Sequence, residues 1–296
     1  MSHLSGIILM FLAACSFGIA AIIIKLAYAA GLHPASLLTL QNAVAILIMW
    51  PMLLLSQGRP HLPGKQLCRL IVQGLGGNFA ISVCYFWGAQ RIDVSLLSLI
   101  LFTYPVLVLG YQIVFEKRRA SGGEWLALFS AVIGAALAAD PFHGAGIRID
   151  RWGFALSIGA AASYAFMNIH GQRLTGALPS QVITSVTSTV STIAMMAVMP
   201  ARHWFTVDFT AEQWLFIVAL ALLSTVLPMN LMYAAIRRIG AFHASVVSIA
   251  ELPCILVLAY LILHERMNSW QTAGGCLILL SLILMQRPAD FARTEV

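Results

Sequence analysis

The stretch SVVSIAELPCILVLAYLILHE, Ser245 to Glu265, is apolar almost throughout yet carries one carboxylate, Glu251, inside its greasy run. A run of about 20 such residues, at a helical rise of about 1.5 Å each, spans the ~30 Å hydrocarbon core of a bilayer. Whether this is a membrane span or a buried core helix depends on the solvent around the rest of the chain. Composition decides it: 60% of the residues are hydrophobic and only 9% are charged, with a mean hydropathy of +0.89. Soluble domains carry roughly a quarter charged residues. The chain reads as an all-α integral membrane protein.

The opening residues MSHLSGIILMFLAACSFGIA have no Lys or Arg ahead of the apolar run, which continues to about Ala30. That is longer than the core of a signal peptide, so it reads as a retained first span. The five cysteines, Cys15, Cys68, Cys84, Cys254 and Cys276, all lie in or beside apolar runs, which suits small hydrophobes rather than a disulfide or metal framework. The net charge is +6, but the 17 basic residues are scattered in ones, twos and threes at the ends of apolar runs. Such scatter orients a chain in a membrane; it does not make a nucleic-acid surface.

Apolar runs between charged, Pro or Gly punctuation predict ten spans, at 4–29, 35–56, 67–90, 94–115, 123–141, 152–172, 181–200, 211–236, 242–263 and 269–286. Helices are expected because lipid leaves no partner for an open backbone. With the N-terminus cytoplasmic, the inner loops hold eleven basic residues, from Arg59 to Arg293, and the outer loops five, Arg91, Arg148, Arg151, Arg202 and Arg266. Both termini are therefore expected in the cytoplasm, with the chain in the cell (inner) membrane.

The opening stretch has a counterpart. YFWGAQRIDVSLLSLILFTYPVLVLGYQIVFE from Tyr85 matches YAAIRRIGAFHASVVSIAELPCILVLAYLILHE from Tyr233, with Tyr85 to Pro105 and Tyr233 to Pro253 both separated by 20 residues, an offset of 148. Glu116 and Glu265 close the two runs at an offset of 149, as do Pro51 and Pro200. GIILMFLAACSF from Gly6 matches GFALSIGAAASY from Gly153 at an offset of 147. Several matches near one offset indicate a duplicated unit, residues 1–148 and 149–296. Five spans per unit is an odd number, so the second copy is expected to run inverted, a plan shared by secondary transporters that open to each side in turn.

FTYPVLVLGYQIVFE (102–116) and IAELPCILVLAYLILHE (249–265) resemble the proline, apolar run and closing acid at the ends of the fourth and ninth helices of the drug/metabolite transporter superfamily, specifically its EamA-type exporters. The family pattern often ends in Gly-Glu, where this chain has Phe115-Glu116 and His264-Glu265. The resemblance implies ten helices in two inverted five-helix repeats around a central cavity, and export of small metabolites, amino acids among them. It covers both halves and leaves the cargo open.

Of the eleven carboxylates, only Glu251 lies deep, roughly 13 Å along its helix. An acid there must face a cavity or partner, or stay protonated, since a lipid-facing charge costs about 3 kcal/mol or more. It reads as a group for a cationic or amino cargo or for an exchanged proton; the bland reading is a packing hydrogen bond to a neighbouring helix. Ser248 and Ala244 share its face, and Thr103 is its counterpart at the offset of 148. Thr103 and Tyr104 join it as candidate binding residues, and Pro105 and Pro253 as gating kinks, since each proline frees a carbonyl about a turn earlier.

In the third span Asn78, Ser82 and Tyr85 fall at i, i+4 and i+7, the pattern of one cavity-lining face. Asn230 and Tyr233 of the eighth span complete the candidates, with Lys25 as a carboxylate holder or, on the bland reading, a snorkelling cation near the end of the first span. His170 and His243 read as hydrogen-bonded structural histidines, Trp87 as an interfacial anchor, and the hydroxyl-rich TSVTSTVSTIAMM from Thr184 as packing.

The partners expected are a small-molecule substrate and the lipid bilayer, with proton coupling an open option and the chain a monomer or weak dimer. No nucleic acid, cofactor or metal is expected. The alternatives are a membrane-embedded enzyme, for which no zinc, serine-turn or paired-aspartate motif is present, and a channel-like facilitator. No catalytic residue is assigned.

Overall fold

The computed structural model describes residues 2–139, 150–198, 209–264 and 267–285, and the regular structure in them is helical throughout. Glu265 and Pro200, which closed two of the sequence matches, lie outside the described residues, as do Arg148, Arg202, Arg266, Arg287 and Arg293. In chain order the helices are α1 (Ser2–Ala29), α2 (Pro34–Gln57), α3 (Gly64–Gln73), α4 (Ala80–Ala89), α5 (Val94–Leu101), α6 (Tyr104–Val114) and α7 (Gly122–Ala139). They continue as α8 (Arg151–Thr175), α9 (Ser180–Val198), α10 (Ala211–Leu220), α11 (Leu227–Ser248), α12 (Glu251–Leu263) and α13 (Ser269–Met285).

Several starts are fixed by local chemistry. Asp150 accepts from the Gly153 amide at 2.9 Å to cap α8, and Thr210 and Gln213 exchange side-chain to backbone bonds at the start of α10. Asn268 and Gln271 do the same at α13. Such reciprocal bonds satisfy amides that the first helical turn leaves open.

Seven continuous helical runs among the described residues are long and apolar enough to cross a membrane: His3–Ala29, Ser36–Gln57, Gly64–Ala89, Val94–Val114, Gly122–Ala139, Ser180–Val198 and Ala211–Ser248. The helices α12 and α13 are apolar but shorter. Large apolar side chains such as Leu55, Leu47, Phe115, Trp152 and Leu215 stand exposed on the outside, as lipid contact allows and water does not.

Four of the expected spans are interrupted, two of them at the prolines read as kinks. A π turn, Gly74–Phe79, joins α3 to α4, and a second, Ala221–Val226, joins α10 to α11. The α5–α6 run breaks at Phe102 and Thr103, and the α11–α12 run at Ile249 and Ala250. Around both breaks the bonds tighten to three residues, Thr103 N to Ile100 O and Ile249 N to Val246 O among them. The physical cause is the proline that follows each break, which has no amide to offer the carbonyl four residues back. The two π turns and the two breaks each recur at a spacing of 147 residues. Helix geometry thus sets Glu251, first residue of α12, against Tyr104, first residue of α6, rather than against Thr103.

A close approach recurs at the same spacing. A Cβ on Gly6 would stand 2.5 Å from Ile239 Cγ2 and 2.9 Å from Arg238 Cβ, and one on Gly153 would stand 2.5 Å from Ile92 Cγ2 and 3.0 Å from Arg91 Cβ. Gly240, at φ 78° and ψ 165°, turns the chain sharply inside α11 with no intervening loop, a conformation that costs glycine little. Its bend is held by the Ala241 amide, which donates to Gln172 Oε1 at 2.6 Å.

In the interior α1 packs on α11 and α12, α7 on α13, and α4 on α8. The face where α1 begins, called here the near face, carries the densest part of the core, with Tyr104, Tyr233, Phe242, Leu70 and Ile183 buried. The opposite, far face is marked by the Gln213 Nε2 bond to Ala30 O at 2.9 Å and the Arg91–Asp150 ion pair at 3.6 Å.

Candidate functional site

A cavity of about 280 Å³ opens in the middle of the helices and extends toward the far face, where the first turns of α2 contribute Leu38, Thr39, Gln41 and Asn42. The two interruptions in each half converge on it. The π turns supply Asn78, Ser224 and Thr225, and the breaks supply Leu101 and Glu251. A π turn carries one residue more than an α turn and widens the helix locally, which lets polar groups meet a cavity without leaving the backbone unpaired.

Of the residues expected at the site, Glu251, Asn78 and Ser82 line the cavity. Ser248 and Tyr104 lie behind the wall, hydrogen-bonded to each other; Tyr104 also donates to Ser245 O at 3.0 Å and stacks on Tyr164 at 4.2 Å between ring centroids. Thr103 turns its hydroxyl back to Ile100 O at 2.6 Å. Tyr85 reaches Ser98 across to α5 at 3.5 Å. Asn230 donates to Val226 O at 2.7 Å, and Tyr233 accepts from Gln73 Nε2 at 3.0 Å; neither borders the cavity. Lys25 is exposed near the end of α1 and does not line it either. Pro105 and Pro253 sit just past the two breaks, buried, with no polar group to offer.

The hydroxyl-rich α9, read as packing, instead gives Ser188, Ser191, Thr192 and Met195 to the wall. These fall at i, i+3, i+4 and i+7, so a helical face was present in the sequence. Tyr164 of α8 and Gln41 and Asn42 of α2 were not anticipated. Buried Gln41 Oε1, Asn78 Oδ1 and Ser188 Oγ have no hydrogen-bond partner among the described residues. Buried polar groups are ordinarily paired, so three unpaired oxygens around one cavity mark a place built to receive something polar.

Glu251 is partly open to the cavity and makes no ion pair among the described residues. The titratable groups near it are Tyr85, Tyr104, Tyr164 and Cys254. Cys254 lies one helical turn on, 3.0 Å from Cys15 of α1 between sulfurs. Among the described residues no group of three or more His, Cys, Asp or Glu side chains comes together as a metal site.

Between the cavity and the near face the helices are cross-tied. Gln73 donates from Nε2 to Met167 O at 2.9 Å, and its Oε1 accepts from His170 Nδ1 at 2.7 Å. Nearer the surface Arg118 pairs with Glu124, which also lies 3.6 Å from His243 Nε2, while Arg173 meets the Tyr111 hydroxyl at 2.6 Å and Glu116 at 3.8 Å. These ties lie between the cavity and the near face, while the cavity's lining runs toward the start of α2 at the far face.

The model of the EamA-like transporter family matches this chain twice, over residues 4–139 and again over 151–287. "Uncharacterized transporter YcbK" of Bacillus subtilis (strain 168) is 24% identical over 290 residues, spanning 91% of this chain and 89% of that one. A solved crystal structure superposes with a TM-score of 0.77 at 16% identity, covering 95% of this chain and 96% of its own, which speaks to the fold alone. Two family matches over nearly its whole length, on a bundle of apolar helices with a cavity inside, make this chain a member of the EamA-like transporter family, a multi-pass membrane protein that moves small molecules.

Proposed function

We propose that the protein is a secondary exporter of small polar metabolites, amino acids or related compounds, working by alternating access with Glu251 at the cargo site. The observation that carries this reading is the cavity itself. It ends at Glu251 in mid-membrane, opens toward the far face, and is separated from the near face by packed, cross-tied helices. A carrier needs a central site closed on one side at a time.

The reading includes ten crossings. They are α1, α2, α3 with α4, α5 with α6, α7, α8, α9, α10 with α11 as far as Ile239, the rest of α11 with α12, and α13. Residues 1–148 and 149–296 form two five-crossing units of opposite sense, with both termini on the cytoplasmic side of the cell membrane. Support comes from the recurrence at 147 residues of the π turns, the helix breaks and the close contacts of Gly6 and Gly153. An odd number of crossings per unit inverts the second relative to the first. The Pro105 and Pro253 breaks are the places where the path to either face opens.

Glu251 contacts the cargo's amino group or exchanges a proton with it. The titratable groups around it are tyrosines and Cys254, so nothing cationic competes for its charge. Flux into vesicles across a pH series tests this. Wild type should show saturable, pH-dependent flux, and Glu251→Gln should lose the pH dependence while keeping its melting temperature. Equal, pH-dependent flux in both proteins would remove Glu251 from the mechanism.

A further inference from the structure

We infer that the cargo is a singly charged organic ammonium without a carboxylate group. The inference rests on the transport reading above and narrows its cargo class.

The first ground is the charge inventory of the wall. Among the described residues Glu251 is the one carboxylic acid that borders the cavity, and no Lys, Arg or His does. A cargo carboxylate would enter beside Glu251 with no cation to receive it. Two carboxylates sharing a poorly hydrated site oppose each other's ionisation, and a charge taken from water needs a partner to stay there. An ammonium entering the same place meets the carboxylate directly and forms a charge-assisted bond.

The second ground is the direction of the wall's protons. Ser82 donates to Asn78 O at 2.8 Å, Thr192 to Ser188 O at 2.8 Å and Ser224 to Leu220 O at 2.6 Å. Each hydroxyl has one proton, so once it is committed to the helix backbone only lone pairs remain for a ligand. Asn42 donates one of its two Nδ2 protons to Leu38 O at 2.7 Å and keeps its carbonyl oxygen. The committed hydroxyls of Ser82, Thr192 and Ser224 therefore leave acceptors on the wall, beside the carbonyl oxygens of Gln41 and Asn78, which have no partner among the described residues. An ammonium has three donors and no acceptor, which is the matching set.

The third ground is what surrounds the polar groups. Phe17, Ile81, Met167, Met195 and Met229 form the apolar remainder of the wall. Methionine side chains adapt to varied organic bodies, and aromatic faces attract cations. One carboxylate balances one positive charge; a second charge on the cargo would be left facing thioethers and rings. A volume of about 280 Å³ suits a small amine.

The test compares cargo pairs that differ only in the carboxylate, phenethylamine against phenylalanine and ethanolamine against serine. Two readouts are taken on the full chain: thermal stabilisation in detergent, and saturable counterflow in vesicles. The expected result is half-saturation by each amine at a concentration at least tenfold below that of its amino acid, with the ratio falling toward one in Glu251→Gln. Should that variant fail to fold, the wild-type ratio decides the matter alone. An amino acid that saturates as readily as its amine, or a tenfold preference that survives in a folded Glu251→Gln, overturns the inference while leaving transport intact. Amine-selective stabilisation without any counterflow supports the inference and sinks the transport reading. Neither stabilisation nor counterflow by any of the four compounds sinks both.

Discussion

At the break between α5 and α6 the chain places a fully buried tyrosine, Tyr104; at the break between α11 and α12, 147 residues later, it places a carboxylate open to the cavity. Both helices break for the same reason, a proline within the next three residues. Their side chains do different work. Tyr104 bonds to Ser245 O and Ser248 Oγ, so it ties the first half to the second behind the cavity wall. Glu251 has no such tie, and its carboxylate remains available. Repetition accounts for the shape of the site, and the departure from repetition accounts for its chemistry.

The sharpest way to break that comparison is to delete the equivalent polar groups. Glu251→Gln should remove about 2–3 kcal/mol of a charge-assisted contact, on the order of 30- to 150-fold in half-saturating cargo concentration, with little change in melting temperature. Tyr104→Phe should do the reverse, lowering stability by about 1–2 kcal/mol through its lost bonds while cargo affinity stays within a few-fold. Dose curves and melts on both variants check this, and similar behaviour of the two would erase the division of labour.

The next largest effect concerns what the halves share. Gly6→Ala and Gly153→Ala each push a methyl to 2.5 Å from an isoleucine Cγ2. Each should cost about 1–3 kcal/mol, the usual range for overpacking, and the two melting temperatures should fall by similar amounts. A loss confined to one substitution would mean that the paired contacts are not equivalent.

Smaller still is Ser188→Ala. The hydroxyl of Ser188 is buried without a partner beside the cavity, so its removal should raise the half-saturating concentration only a few-fold, as for one neutral hydrogen bond of about 0.5–1.5 kcal/mol. Cargo titrations measure it, and a loss as large as that of Glu251→Gln would shift the site's centre to α9.

The sequence made the helices legible because hydropathy alone separates lipid-facing runs from their charged ends, and the breaks because prolines announce them. Glu251 was legible by its depth, and Asn78 and Ser82 by their shared face. Tyr233 and Asn230, expected at the site, lie off the cavity wall for a geometric reason. The π turn at Ala221–Val226 adds a residue to the helix, which rotates everything beyond it by about 100° relative to a straight helical wheel. Ser224 and Thr225 face the cavity in their place. The face of α9 was visible as a period but not as a direction. Which neighbour it met depended on packing against the first π turn, a contact between residues more than a hundred positions apart. The counterpart of Glu251 was off by one because the prolines repeat at 148 and the helix starts at 147.

The central claim is that one cavity around Glu251 serves both faces in turn. In a variant with Cys15, Cys68, Cys84, Cys254 and Cys276 replaced, a single Ser188→Cys can be labelled in oriented vesicles with a membrane-impermeant maleimide applied to either face. The account predicts rapid reaction from the far face, and reaction from the near face only when cargo is present and turning over. Reaction from the far face alone, under every cargo condition, would contradict it, as would equal reaction from both faces without cargo.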